Sequence, residues 1–445
     1  MRKVILIVLA ALVVAVIVGL YMTRPPREWS SKDPAAIDEL VRGREALQKL
    51  YFPESIEHFR AALAHDSQFV AARMLLGSAL FSIDQREPAL REIREALKAD
   101  RAGLTPREIR MLEIWRLQLE RKEEELLGLL KTYAVEVPDD ADILRQLASI
   151  YWHRGEEEEA VKWAEASLKV SPNDALAYNL LGYIEMSRGN FAASESALRK
   201  YTFIASNQAN PHDSLGELYT VLGRWDEAIA EFNKALGVNP RFFPAHLHIA
   251  RIAMLRGDEP TALAEAEQGW ELAGMSAEAR SSEAVLLRAW AARVRRDDAA
   301  FVAIMRESKP NYDNPSWTLA MVTALAESGE FAAARAVEER AVADAAKAES
   351  STKLRWKAVL AATRAQRLLS EGKFDEALVA AETADSALTF SIDDAFLKLT
   401  ARCVAAMALA RGGDLARANQ ILTEITRVNP VFPSLARCRE PIGAR

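Results

Sequence analysis

The sequence predicts an all-α fold in which about ten or eleven helix–turn–helix repeats stack into a right-handed superhelix behind one transmembrane helix. Three observations support this prediction. Residues 4–22 carry no charge. Gly155, Gly189, Gly223 and Gly257 are evenly spaced along the chain, and a small residue stands five positions after each. A fixed interval of about 34 residues indicates a chain built from stacked supersecondary units.

Composition excludes several classes of protein. The chain has 445 residues, of which 50% are hydrophobic and 27% charged. That apolar content excludes a disordered chain, and two cysteines cannot form a four-cysteine zinc site. A net charge of −6 offers no basic face, so no nucleic-acid partner is expected. At roughly 150 residues per domain the length would suit three globular domains, but the repeats predict one elongated array instead.

Residues 1–22 are predicted to be a transmembrane signal-anchor. Of the 19 residues from Val4 to Met22, 18 are apolar. As a helix they span roughly 28 Å, close to the hydrocarbon thickness of a bilayer. A cleaved signal peptide would have a shorter apolar core and a small-x-small cleavage site, which the exit toward Arg24 does not offer.

The orientation of this anchor is predicted from the charges on either side of it. Arg2 and Lys3 favour a cytoplasmic N-terminus. The rest of the chain would then lie outside the cytoplasm, as in a single-pass protein of the bacterial inner membrane. The basic residues after the anchor nearly balance those before it, so the opposite orientation stays open.

Residues 23–35 are predicted to form a tether between the anchor and the repeats. They contain Pro25, Pro26, Pro34 and two serines, a composition that favours a stiff, extended chain. Trp29 follows the apolar run closely, so it is predicted at the membrane interface, where amphipathic rings are favoured.

Residues 141–276 are predicted to hold four regular units of equal length, each made of two amphipathic helices. The glycine ends the first helix, because a left-handed backbone costs glycine little. Pro172 and Pro240 are predicted to stop second helices. Small residues seven positions before each glycine would let the two helices approach closely; these are Ala148, Gly182, Gly216 and Ala250.

The unit over residues 210–240 carries the most complete repeat pattern. Its pattern residues are Leu215, Gly216, Tyr219, Gly223, Trp225, Ala228, Phe232, Ala235 and Pro240. On these residues the chain resembles the tetratricopeptide repeat (TPR) family. The resemblance implies a superhelix whose concave face is lined by the first helix of each unit. In that family this face binds extended peptides or partner helices.

Degenerate units are predicted on both sides of the regular block. Residues 36–140 would hold units near 36–69 and 70–103, whereas the pair over 107–140 has lost its small residues and is predicted to be irregular. Residues 277–430 repeat the glycine signature at Gly329, Gly372 and Gly413. Residues 431–445 are predicted to be a C-terminal cap or tail.

The resemblance also implies which residues face the groove. They occupy the fifth, ninth and twelfth positions of the central units: Arg145, Ser149, Trp152, Asn179, Tyr183, Met186, Asp213, Glu217, Arg251 and Met254. Aromatic, arginine and methionine side chains are common anchors for protein partners. The basic set by which some TPR domains clamp a carboxylate is not matched, because Asp213 and Glu217 oppose an anion.

No pattern of catalytic or cofactor chemistry appears in the sequence. It contains no His-Glu-x-x-His, no Gly-x-x-x-x-Gly-Lys-Ser/Thr and no Gly-x-Ser-x-Gly. His246 and His248 stand two apart on a predicted helix and so point to different faces. We therefore expect no enzyme activity, no cofactor and no metal site. An enzyme whose site has no recognisable pattern is the alternative.

Two cysteines lie near the C-terminus of the chain. In an oxidising compartment a Cys403–Cys438 disulfide would join the C-terminal cap to the last helix pair. The alternative is two separate thiols, with Cys403 buried as a small apolar residue.

These features predict a membrane-anchored TPR scaffold that binds other proteins or peptides in its groove, and bacterial envelope assembly or secretion would suit it. An organellar import receptor with a cytosol-facing array is one alternative. A self-associating structural protein is another. The sequence leaves the partner and the oligomeric state open.

Overall fold

The computed structural model describes residues 28–49, 51–83, 85–312, 314–346 and 350–443. Within these ranges it contains 23 α-helices, one 3₁₀ turn and no strand, which confirms the all-α helical-repeat prediction. The predicted transmembrane segment, residues 4–22, lies outside the described residues. None of the described helices is long and apolar enough to cross a membrane.

The chain divides into two compact units between Leu129 and Leu130, inside the sixth helix. The helices of the first unit are α1 (Pro34–Gln48), α2 (Phe52–His65), α3 (Val70–Ser82), α4 (Arg86–Ala96), a 3₁₀ turn (Arg101–Gly103), α5 (Pro106–Leu119) and the start of α6 (Glu123–Glu136). The Thr105 hydroxyl accepts from the amide of Glu108, and the Glu108 carboxylate accepts from the amide of Thr105. This capping box starts α5.

Residues 107–140, where an irregular helix pair was predicted, contain the two helices α5 and α6. Arg121 occupies the left-handed position after α5, with φ of 57°. It precedes Gly155 by the same interval that separates Gly155 from Gly189, so the repeat continues through this pair without a glycine. Arginine tolerates this conformation less well than glycine does.

The end of the predicted tether is bound to the first unit. Trp29 is only 5% exposed, packs edge-on against Phe69 at 6.5 Å, and has the guanidinium groups of Arg44 and Arg107 above its ring at 5.2 and 5.0 Å. The amide of Ser30 donates to a carboxylate oxygen of Glu108 at 3.1 Å. Trp29 therefore belongs to a protein core. The prediction that it lies at a membrane interface is wrong.

The second unit contains the rest of α6 and all later helices. These are α7 (Ala141–His153), α8 (Glu157–Val170), α9 (Ala175–Ser187), α10 (Phe191–Ile204), α11 (Ala209–Val221), α12 (Trp225–Val238), α13 (Phe243–Leu255), α14 (Glu259–Leu272), α15 (Ala277–Val294), α16 (Asp298–Glu307), α17 (Pro315–Glu327), α18 (Phe331–Ala345), α19 (Ser350–Ser370), α20 (Phe374–Ala387), α21 (Ala395–Gly412), α22 (Leu415–Val428) and α23 (Leu435–Gly443). The first helices α7, α9, α11 and α13 begin at one constant interval, and the second helices α8, α10, α12 and α14 begin at the same interval. The helices of residues 141–276 therefore follow the spacing of the glycines.

Glycine has two separate uses in these repeats. Gly155, Gly189, Gly223 and Gly257 have φ between 71° and 78° at the ends of first helices, as predicted. Gly216 instead lies within α11, where an added Cβ would come within 2.5 Å of the ring of Phe232 on α12. The two helices of this unit pack closely because that position has no side chain.

The last helices of the second unit fold back onto its central block. The Asn429 side-chain amide donates to the carbonyl oxygen of Val221, at the end of α11, at 3.1 Å. A guanidinium nitrogen of Arg437 donates to the carbonyl oxygen of Arg293, at the end of α15, at 3.4 Å. The C-terminal repeats therefore contact helices more than a hundred residues earlier in the chain.

A disulfide joins Cys403 on α21 to Cys438 on α23, with 5.4 Å between the Cα atoms. This is the pairing that the sequence left open. It attaches the final helix to the helix pair before it, and both sulfur atoms lie in residues that are almost fully buried.

Reduction of this disulfide is expected to destabilise the chain by about 4 kcal/mol, because it closes a loop of 35 residues in the unfolded state. Thermal melting with and without dithiothreitol measures the effect, and the variant C403S/C438S is the control that should not respond. An unchanged melting temperature, or two free thiols in the denatured, unreduced protein, would contradict the pairing.

Candidate functional site

The candidate site is the face made by α7, α9, α11 and α13, the first helices of the four central units. Arg145, Ser149 and Trp152 lie on α7 and are all half-buried. Arg145 forms ion pairs with Asp142 and Asp174, so its charge is already matched within the chain. Ser149 and Trp152 keep part of their surface open to a partner.

Two predicted groove aromatics lie together on this face. The rings of Trp152 and Tyr183 stack with centroids 6.4 Å apart. The indole N–H of Trp152 donates to Ser187 Oγ at 2.9 Å, and the Tyr183 hydroxyl donates to Ser214 Oγ at 3.1 Å. These bonds fix both rings across the three helices α7, α9 and α11.

The other predicted groove residues on α9 and α13 differ in exposure. Met186 is fully buried and packs inside the array. Asn179 is half-buried, and its Oδ1 atom is buried with no hydrogen-bond partner in the part of the chain that the structure describes. Met254 is half-buried on α13. Only part of the predicted set therefore lies where a partner can reach it.

Asp213 and Glu217 lie one turn apart on α11 and are both buried, facing His248 on α13. Asp213 Oδ1 is 3.0 Å from His248 Nδ1, and Glu217 Oε1 is 3.6 Å from His248 Nε2. One ligand atom from each residue lies within 4.8 Å of the others, which is a possible metal-binding arrangement. No metal site was expected from the sequence, so the place of His248 in this cluster was missed.

Burial and neighbouring charges shift the protonation of this cluster. Burial raises the pKa of Glu217 to about 7, and the charge of Asp213 adds to that effect. Burial alone would lower the pKa of His248, but the charge of Asp213 and the hydrogen bond to it raise the pKa above its ordinary value. Burial also raises the pKa of the Tyr183 hydroxyl. The cluster therefore holds protons more tightly in the folded chain than in the unfolded chain.

A pH dependence of stability follows from Glu217. Its folded pKa of about 7 is above its ordinary value of 4.5, so the folded state loses stability as pH rises through that interval. The variant E217Q cannot ionise. Between about pH 5 and about pH 8 it is expected to gain about 3 kcal/mol of stability relative to wild type, measured by thermal melting.

The variant E227Q is the matched control for this titration. A hydrogen bond from Arg224 lowers the pKa of Glu227, so that carboxylate stays ionised across the same pH range. The difference in melting temperature between wild type and E227Q is expected to stay constant. An equally constant difference for E217Q would show that Glu217 titrates normally.

The loop between α20 and α21, residues 388–394, lies against the candidate face. Arg251, a predicted groove residue on α13, donates from Nη1 to the carbonyl oxygen of Ile392 at 2.5 Å and from Nη2 to Asp393 Oδ1 at 3.2 Å. The amide of Phe390 donates to the carbonyl oxygen of Ser187 at 3.4 Å. Part of the face therefore already holds a loop of the chain itself, which bends at residues 390–391 and turns at residues 392–394.

Phe390 is the main apolar contact of this α20–α21 loop. It is 8% exposed, packs edge-on against Phe191 at 5.3 Å, and lies against the Gly189 turn. Lys398 and Arg402 place their charges over its ring at 5.4 and 5.3 Å. No local pattern in the sequence marks this contact, since Phe390 and Ser187 belong to repeats that are far apart along the chain.

Comparison with known proteins identifies the repeats. A family model described as the tetratricopeptide repeat matches residues 123–175 and 214–278. Anaphase-promoting complex subunit 7 of Dictyostelium discoideum is 24% identical over 209 residues, which are 46% of this chain and 35% of that protein. The chain thus spans about a third of the length of this relative.

Solved structures with a similar arrangement of helices have low sequence identity to the chain. The crystal structure of yeast Tom70 is 13% identical, covers 93% of this chain and 96% of its own, and has a TM-score of 0.41. A tetratricopeptide repeat protein from Parabacteroides merdae is 18% identical, covers 55% and 92%, and has a TM-score of 0.39. The family match shows tetratricopeptide repeats at residues 123–175 and 214–278, and the helix pairs of residues 141–276 are evenly spaced.

Proposed function

We propose that the chain is a non-catalytic adaptor that binds an extended segment of a partner protein on the face of α7, α9, α11 and α13. One observation carries the proposal: Arg251 binds the main-chain carbonyl of Ile392 and the carboxylate of Asp393 in the α20–α21 loop. This contact supports a face that can bind a peptide backbone, with the loop as its present occupant.

The chemistry of that contact suits peptide recognition. A bond to a main-chain carbonyl does not depend on the side chain, whereas a recess for one aromatic ring selects among sequences. Arg251 supplies the bond to the main chain, and the recess around Phe390 supplies the selection. A segment with an aromatic residue and an acidic residue three positions later, as Phe390 and Asp393 have in the loop, would fit both.

Ser149 and Trp152 give a partner access to the part of the face on α7. Both are half-buried, and Trp152 is held in place by Ser187 and stacked on Tyr183. A fixed aromatic ring with an open edge is a frequent anchor in protein interfaces. A partner can bind here beside the α20–α21 loop, or extend further by displacing it.

We further propose that residues 4–22 hold this adaptor in a bacterial inner membrane with its repeats outside the cytoplasm, where it serves envelope assembly or secretion. The apolar run itself supports the anchor. Confinement to a membrane raises the effective concentration of partners at that surface. Alkaline phosphatase fused to the C-terminus should be active in bacteria, and an inactive fusion would contradict this orientation.

Quantitative capture tests the binding face. The purified full chain is used to capture proteins from solubilised native membranes, and the captured amounts are compared with those for S149R/W152A. Because this variant adds charge to the open part of the face and removes its aromatic anchor, partners bound there should fall at least roughly tenfold.

The variant K162A/F203A is the matched control. Lys162 lies on α8 and Phe203 on α10, both second helices, and Phe203 is 80% exposed. The proteins captured by K162A/F203A should match those captured by wild type. If S149R/W152A folds as wild type does and retains every partner at the wild-type amount, the proposed binding face is wrong.

A further inference from the structure

Asp213, Glu217 and His248 form a polar cluster in which the histidine ring is held from one side. Its Nδ1 atom lies 3.0 Å from Asp213 Oδ1, so an Nδ1–H bond to this carboxylate fixes the ring and its tautomer. Nε2 then has a lone pair directed away from Asp213. A carboxylate that orients a histidine in this way is the usual neighbour of a metal-binding imidazole.

Glu217 faces the free nitrogen of that ring. Its Oε1 atom is 3.6 Å from His248 Nε2, longer than a good hydrogen bond. Two ligand atoms bound to one ion at about 2.0–2.2 Å each lie roughly 3–3.5 Å apart, so a small adjustment would bring both onto one ion. The distance suits a shared ion better than a direct bond.

An unsatisfied buried oxygen points to the same conclusion. Glu217 is 7% exposed, and its Oε2 atom is buried with no hydrogen-bond partner among the described residues. The Tyr183 hydroxyl donates to Ser214 Oγ at 3.1 Å, and its hydrogen bond to the Glu217 carboxylate lowers the pKa of Glu217 only against the larger effect of burial. A buried carboxylate oxygen without a partner is costly unless something positive binds it.

The charges around the cluster also favour a cation. Asp213 and Glu217 interact with His248, and Asp393 adds a third carboxylate to the field at Glu217. Arg251 is the cation that acts on the same ring. Arg251 is bonded to Asp393, so that carboxylate is already matched. An ion that binds Glu217 and His248 would displace the protons held there, and its charge would neutralise the carboxylates of Asp213 and Glu217.

We propose that Glu217 and His248 Nε2 bind a divalent transition-metal ion of the zinc class, with Asp213 orienting the imidazole through its bond to Nδ1. Imidazole and carboxylate ligands together suit such ions. The ion would link α11 to α13 and so fix two neighbouring repeats beneath the binding face. This site is independent of the proposed partner binding.

Other histidine–carboxylate pairs in the chain lack these features. His212 Nδ1 and Glu231 Oε2 are 2.7 Å apart, as are His246 Nδ1 and Glu265 Oε2. At that distance each pair forms a direct hydrogen bond that satisfies both partners. His212 therefore offers a control in the same repeat as Glu217.

Calorimetric titration of zinc chloride into the untagged full chain, after treatment with EDTA, tests the proposal. Wild type is expected to bind one Zn²⁺ per chain and to melt at a higher temperature when loaded. E217Q and H248N should lose this binding, D213N should weaken it by roughly 10- to 100-fold, and H212N should leave it unchanged.

Circular dichroism of each variant without zinc separates lost ligands from lost folding. If wild type shows no saturable one-to-one binding, or if folded E217Q and H248N bind Zn²⁺ as wild type does, the site is wrong. In the first case the cluster is a buried ion network in which His248 itself supplies the positive charge.

Discussion

Phe390→Ala is expected to destabilise the folded chain by about 3 kcal/mol and to release the α20–α21 loop from the central block. The substitution empties the recess beside Phe191 and removes the ring over which Lys398 and Arg402 lie. Thermal melting measures the loss of stability. Hydrogen exchange measures the release, because the amide of Phe390 is bonded to the carbonyl oxygen of Ser187 and should exchange faster.

Phe203→Ala is the matched control for this change. Phe203 is another phenylalanine of the second compact unit, but it is 80% exposed on α10. Its replacement should change stability by less than about 0.5 kcal/mol and leave exchange in the α20–α21 loop unaltered. If F390A and F203A have the same small effect, Phe390 does not hold the loop to the central block.

Gly216→Ala is expected to destabilise the chain by about 2 kcal/mol, although alanine is the better helix former. The added methyl group would lie 2.5 Å from a ring atom of Phe232, which is fully buried and has no free space to move into. The helices α11 and α12 would have to separate, which disturbs the close contact on which the unit depends. Thermal melting of the purified variant measures this cost.

Gly237→Ala gives the opposite expectation from the same chemical change. Gly237 lies in α12, and an added Cβ would meet nothing within 4 Å. The variant should therefore be stabilised by about 0.5 kcal/mol through helix propensity alone. A loss of stability in G237A that equals the loss in G216A would contradict the role of Gly216 in helix packing.

The sequence predicted the regular repeats because their determinants are local. Glycines at left-handed positions and small residues such as Gly216 recur at a fixed interval, and each acts within its own helix pair. At the ends of two other first helices, Arg121 and Arg296 take the place of the glycine, with φ of 57° and 64°. A pattern of glycines cannot detect left-handed turns that are made by arginine.

The binding of the α20–α21 loop to the candidate face could not be predicted, because it depends on contacts between distant repeats. Arg251 was correctly placed on a first helix, but its partners Ile392 and Asp393 belong to a loop several repeats later. Trp29 shows the same limit. Its ring was assigned to a membrane interface from its distance to the apolar run, whereas Phe69, Arg44 and Arg107 enclose it in the first unit.

The cluster of Asp213, Glu217 and His248 could be predicted only in part from the sequence. Asp213 and Glu217 are four positions apart and lie on one face of a helix, as their spacing indicates. His248 is offset by one position from the groove pattern, and its approach to both carboxylates depends on how α13 packs against α11. Burial then sets the protonation of Glu217, and burial is a property of the assembled repeats.

The central claim is that the face of α7, α9, α11 and α13 binds an extended peptide, and a peptide titration tests it most directly. The probe is a fluorescein-labelled peptide with the sequence of residues 386–396, and binding is measured by fluorescence anisotropy. In wild type the tethered loop has an effective concentration near the millimolar range, so it should exclude the probe. The variant F390A/D393A weakens the loop and should bind the probe.

Adding R251A to that variant should abolish the binding, because it removes the donor to the main-chain carbonyl. This result would establish that the face recognises a peptide backbone through Arg251. Absence of probe binding to folded F390A/D393A, or binding that is equal with and without Arg251, would contradict the account.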